Sequence, residues 1–139
     1  MAIMHECSDG SRVSQVTIDN RYAKSRANKY CDSPVSLRCQ AGCGQTGNSN
    51  DHTIAQARCK HIHKTELIWN PNNYVWNCNN CHKQWENFKS GEWVHHANVE
   101  ERLAFMKEHD PEGYRMRVEL TEKALTEQAD KNEFVNKYF

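Results

Sequence analysis

Residues 69–82 read WNPNNYVWNCNNCH, and the reading of the rest of the chain turns on them. Asn70-Pro71-Asn72-Asn73 is turn chemistry, because proline presets one backbone dihedral and asparagine tolerates unusual ones. Tyr74-Val75-Trp76 is a short run of strand-favouring side chains. Cys78 and Cys81 then enclose two residues, and upstream Cys39 and Cys43 enclose three (CQAGC), with 34 residues between the pairs. Four thiolates in two close pairs suit a tetrahedral zinc ion: each pair brings two sulfurs to one side, and the long connection folds back to close the site. Such a site adds folding free energy directly.

Length and composition narrow the classes. The chain has 139 residues, 37% of them apolar and 26% charged. That predicts a single domain with a thin core, held by something besides burial. Seven cysteines, at 7, 31, 39, 43, 59, 78 and 81, are an odd number, and the opening MAIMHECSDG lacks a basic region followed by an apolar stretch. Metal thiolates in a reducing cytoplasm therefore fit better than a secreted disulfide framework. No apolar run approaches the roughly 18 residues of a membrane span, so a membrane partner is not expected. Basic and acidic side chains balance at 18 each, yet residues 1–80 carry 9 basic and 6 acidic groups and residues 81–139 carry 9 and 12. A polyanion is expected to meet the first half.

Residues 1–38 are polar, and Arg12, Arg21, Lys24, Arg26, Lys29 and Arg38 recur there without a strong period. They read as a basic N-terminal arm or irregular cap, with phosphate contact as the alternative. Residues 39–92 form the expected core: short strands, a long connecting loop, and a short helix at the second cysteine pair that Ser90-Gly91 ends. From Val99 the period turns helical, with Leu103 and Met106 at i+4 and i+7, and Asp110-Pro111 offers an N-cap and a first-turn proline for a second helix. Residues 93–139 are thus a C-terminal helical extension packed on the core, making the fold class α+β. The end EFVNKYF spaces Phe134 from Tyr138 and Val135 from Phe139 by four, a homodimer edge or, preferred, a tail docked on its own core. Trp69, Trp76, Trp85 and Trp93 are expected to be core mass rather than base-stacking platforms, Cys59 to be packing, and His95-His96 to be surface or packing groups.

Three polar elements flank the cysteine pairs: Asp51-His52, Asn73 and His82. Hydrolysis of a phosphodiester calls for a base to deprotonate water and a divalent cation to stabilise charge on the phosphorane and the departing oxygen. A neutral imidazole serves as that base near pH 7, and a carboxylate with a second imidazole holds the cation. Asparagine, uncharged and able to donate and accept, pins backbone or orients the base.

At NDHTI (50–54) and WNPNNYVWNCNNCH (69–82) the chain resembles the HNH, or ββα-metal, endonuclease family, in its zinc-stabilised form often carried by phages. The resemblance covers roughly a third of the chain, from Cys39 to about Asn87. It implies a small ββα-metal core, with Asp51-His52 ending the first strand, Asn73 before the second, and His82 opening the helix. It also implies His52 as general base, Asp51 and His82 as ligands of a magnesium or manganese ion, Asn73 as the central asparagine, and Cys39, Cys43, Cys78 and Cys81 as structural zinc ligands. The implied reaction is cleavage of DNA to a 3′-hydroxyl and a 5′-phosphate, in phage DNA mobility, recombination or processing in the host cytoplasm. Arg58, Lys60 and Lys64 are expected to hold the DNA backbone. Two departures stand out: CQAGC is one residue longer than the usual pair, and Thr53-Ile54-Ala55-Gln56 lacks the proline that many relatives carry. They are the witnesses for a runner-up, a zinc-stabilised module that binds nucleic acid or protein without hydrolysis. A third reading makes the acidic tail a docking face. His61 or His63 is an alternative base in a shifted register, disfavoured because the Lys60 ammonium repels a cation.

Overall fold

The computed structural model describes residues 3–30, 47, 49–86 and 99–138. Cys31, Cys39, Cys43, Trp93, His95, His96 and the side chains of the EFVNKYF end other than Glu133, Asn136 and Lys137 lie outside the described residues, so the first cysteine pair and the dimer edge lie outside too.

β1 (Met4–Glu6) pairs antiparallel with β2 (Arg12–Ser14), Met4 opposite Ser14 and Glu6 opposite Arg12. The turn between them is closed by the Cys7 amide donating to Ser11 O at 2.8 Å and by Asp9 Oδ1 accepting from the Ser11 amide at 2.9 Å. Gly10 takes φ +87° there, a conformation open to a residue without a Cβ. Ser14 caps the helix that follows, α1 (Gln15–Tyr30), by accepting from the Thr17 amide at 3.3 Å. α1 buries Ile18 and Tyr30 and half-buries Tyr22. Residues 3–30 of the segment that reads as an arm are therefore a hairpin and a 16-residue helix. The helix's buried and half-buried large apolar residues are only Ile18, Tyr22 and Tyr30, too few to register as a period against the surrounding charge.

β3 (Ser49–His52) pairs antiparallel with β4 (Tyr74–Asn77), Asp51 opposite Val75 and His52 opposite Tyr74. The connection is not an open loop. It holds α2 (Gln56–His61) and two 3-10 turns, Thr65–Trp69 and Pro71–Asn73, the second capped by Asn70 accepting from the Asn72 amide. Cys59 on α2 is fully buried, donates to Ile54 O at 3.4 Å, and burial pushes its thiol up to about 12, so it packs rather than reacts. α3 (Asn79–Glu86) starts at the second cysteine pair, directly after β4.

α4 (Val99–His109) and α5 (Pro111–Tyr138) meet at Asp110. Asp110 Oδ1 accepts from the Gly113 amide at 3.1 Å, the N-cap bond the sequence leads one to expect. A Cβ at position 113 would stand 2.2 Å from Asp110 Oδ2, which explains glycine inside the first turn of a helix. Both Asp110 oxygens also take Arg58 of α2 at 2.9 Å, tying the tail to the core. One contiguous core runs through Ile18, Ile54, Leu67, Ile68, Trp85, Val99 and Met106. The fold is α+β, with five helices and two small antiparallel sheets among the described residues. No helix among them is long and apolar enough to cross a membrane.

The Arg58 guanidinium, first, and the Gly113 amide hold the Asp110 carboxyl below its usual range. Its contribution to stability is thus present above the unfolded value of about 3.9 and is lost as pH falls through the lower folded one. Asp110→Asn, which still caps α5, is expected to cost about 1–3 kcal/mol in urea unfolding at pH 7. The gap from wild type should narrow below pH about 4; a gap that persists in acid contradicts the ion-pair account.

Candidate functional site

β3 ends on Asp51-His52, and strand alternation sends the two side chains to opposite faces of the β3–β4 sheet. On one face Asp51 is 1% exposed, with Oδ1 3.2 Å from His82 Nδ1. His82 reaches it because the CNNC corner turns strand into helix at once: the Cys78 carbonyl accepts from the His82 amide at 3.0 Å. Asp51 Oδ2 accepts from Asn77 Nδ2 at 3.2 Å and from Arg102 Nη1 at 2.9 Å. Arg102 comes from α4, is 4% exposed, donates through Nε to Thr53 Oγ1 at 3.0 Å, and lies 3.7 Å over the Trp85 ring. The guanidinium is desolvated yet satisfied by a carboxylate, a hydroxyl and an aromatic face.

On the other face the His52 ring packs 4.9 Å from Tyr22 of α1 and 5.8 Å from Tyr74 of β4. Its Nε2 lies 2.9 Å from Ile68 O. A carbonyl oxygen only accepts, so Nε2 carries the hydrogen and Nδ1 keeps its lone pair. Burial pushes the pKa of His52 below the ordinary 6.5, and the imidazole is neutral at pH 7.

Asn73 is completely buried and closes the β3–β4 connection. Its Oδ1 accepts from the Ile54 amide at 2.7 Å, its Nδ2 donates to Ile54 O at 3.1 Å and Leu67 O at 2.9 Å, and its carbonyl accepts from the Thr53 amide at 2.7 Å. It pins backbone directly after His52 and before Ile68, which holds His52; it is a positioning residue.

The structure brings Asp51 and His82 into contact on one face of the β3–β4 sheet and leaves His52, the next residue, on the other face. It does not gather the three basic candidates at this strand end. Arg58 is committed to Asp110, Lys60 Nζ donates to Gln15 Oε1 at 2.7 Å, and Lys64 Nζ donates to His109 O at 2.6 Å. His61 is exposed at the end of α2, and His63, with φ 58°, faces Glu6 at 3.2 Å. Cys78 and Cys81 are buried against each other. Among the described residues no group of three or more His, Cys, Asp or Glu converges on one point. Paired thiols at a strand-to-helix corner fit half of a zinc site, and an oxygen and an imidazole nitrogen side by side fit a divalent ion with open coordination positions.

Sequence reasoning missed Arg102, Tyr22 and Lys29. Arg102 had a signal: it lies within the Val99, Leu103, Met106 stripe, where a charge demands a buried acid. Lys29, counted with the basic patch, donates to Pro71 O at 2.6 Å and to Tyr74 O, and burial lowers its pKa to about 8. No protein-family model, curated protein or solved structure matches the chain.

Asn73→Ala leaves several buried backbone groups without partners and is expected to lower stability by about 3 kcal/mol or more in urea unfolding. A loss under about 1 kcal/mol contradicts its role as the closure of the connection.

Proposed function

We propose that this chain is a divalent-metal-dependent DNA endonuclease of HNH type with a zinc-stabilised core, acting in phage DNA mobility, recombination or processing in the host cytoplasm. The observation that carries the reading is the convergence of Asp51 and His82, 3.2 Å apart, with His52 the next residue at the end of β3. The pairing of β3 with β4 and the helix α3 directly after β4 support it, as does the buried Asn73 ahead of the second strand. Cys39 and Cys43 would join Cys78 and Cys81 around the zinc.

His52 takes the proton of the attacking water at Nδ1, while Ile68 O fixes the ring through Nε2. Asp51 and His82 would hold the catalytic ion. When bound there, magnesium or manganese stabilises charge on the phosphorane and the departing oxygen. Arg102 holds the Asp51 carboxylate turned so that Oδ1, not Oδ2, faces His82. The scissile bond is broken on the side that leaves a 3′-hydroxyl and a 5′-phosphate, as the family resemblance implies.

One observation favours a second reading. The Arg102 guanidinium already neutralises Asp51, which weakens attraction for a cation, as expected of a zinc-stabilised binding module that does not hydrolyse.

Supercoiled plasmid incubated with the protein and magnesium or manganese is expected to be nicked, and excess EDTA to stop it. His52→Ala and His82→Ala should each lose about 100-fold or more, and His61→Ala should retain activity. Undiminished cutting by His52→Ala rejects the assigned base, and a wild type that shifts duplex mobility without cutting supports the module. Elemental analysis of the active protein should find a single zinc ion per chain, lost in Cys81→Ser; zinc-free active protein removes the proposed scaffold.

A further inference from the structure

With Arg58, Lys60 and Lys64 engaged by protein acceptors, the exposed positive charge beside His52 comes from α1. Arg21, Lys24, Ser25 and Asn28, at i, i+3, i+4 and i+7, form one wall of a groove of about 590 Å³ whose other wall is Trp69, Pro71 and Asn72. Among the described residues no carboxylate lines it. The nearest acid on the helix, Asp19, accepts from Gln15 Nε2 at 2.8 Å. Arg21 lies 5.0 Å over the half-buried Trp69 ring, and Lys24 makes no hydrogen bond or ion pair among the described residues. Lys29, bound to Pro71 O and Tyr74 O, ties the two walls together, so the width of the groove is set before any ligand arrives.

We infer that this groove docks an unpaired DNA strand and leads it to His52. Cations for phosphates, an aromatic ring for base stacking and two amide side chains, Asn28 and Asn72, in one cleft are the chemistry that tracks a single strand; a duplex keeps its bases stacked away from such a ring. The groove adjoins the proposed base through consecutive residues: Tyr22, after Arg21, packs on the His52 ring, and Ile68, before Trp69, binds its Nε2. Arg26, 4.4 Å over the Tyr22 ring, is the next cation toward His52. Only the destination of the strand rests on the nuclease reading.

Binding is measured by fluorescence anisotropy of the full-length protein in EDTA, with a labelled oligothymidylate and a blunt duplex of equal length, across a salt series. Wild type is expected to bind the single strand more tightly. The double variant Arg21→Gln, Lys24→Gln should weaken that binding about tenfold or more and reduce the salt slope by about 1.4. Trp69→Ala should lose about tenfold, with Trp69→Phe restoring most of it. Arg115→Gln, on α5 and paired with Glu119, should bind as wild type does. Groove variants that fold, by circular dichroism, and bind as tightly as wild type overturn the inference, and so does a preference for duplex that Trp69→Ala leaves untouched. If the groove variants fail to bind as expected but wild type never nicks, the nuclease reading falls and the groove stands. Nicking by a wild type whose groove variants bind and nick unchanged has the opposite meaning.

Discussion

A single buried amide side chain holds the centre of this molecule. Between the end of β3 and the start of β4 the chain leaves the sheet through α2 and two 3-10 turns and must return in register. Asn73 makes that return by bonding Ile54 at both amide and carbonyl, Leu67 at its carbonyl, and Thr53 through its own backbone. Only a short side chain with a donor and an acceptor at its tip meets these groups without burying a charge. Its consequence reaches the chemistry, because the same closure carries Ile68 O to the His52 ring and sets which imidazole nitrogen is free.

Arg102 supplies the second constraint. By bonding Asp51 and Thr53 and stacking on Trp85, it links β3, α3 and α4 at one point. A buried ion pair of this kind gives little net stability against a well-packed apolar substitute, but it fixes the direction of a carboxylate. Here it leaves Asp51 Oδ1 to His82 and so orients the proposed cation site, while its charge opposes the ion that site would hold. The same guanidinium therefore bears on both functional readings.

Much of the central segment was legible because its signals are local. Asn-Pro-Asn-Asn marks a turn, Tyr-Val-Trp a strand, CNNC a sharp corner into a helix, and Asp110-Pro111 a helix start; the structure has each in place. The N-terminal segment was not legible as a helix, since Ile18, Tyr22 and Tyr30 are spread among charged neighbours and gain their meaning only against Ile68, Tyr74 and Trp76, which are far along the chain. The connecting segment reads as a loop because α2 spans only six residues, with little periodicity to detect. Arg58, Lys60 and Lys64 looked available for phosphate because charge in a sequence carries no record of its partners. Asp110, Gln15 and the His109 carbonyl are 45 or more residues away.

The central claim is that Asp51 and His82 hold one catalytic ion at the end of β3, where His52 is the base, with zinc at the neighbouring cysteines. Anomalous diffraction from crystals soaked in manganese tests it most directly, with data taken at both the manganese and the zinc edge. The account predicts a manganese peak at bonding distance from Asp51 Oδ1 and His82, and a zinc peak at Cys78 and Cys81. Absence of manganese from that position in crystals that admit the ion elsewhere contradicts the account.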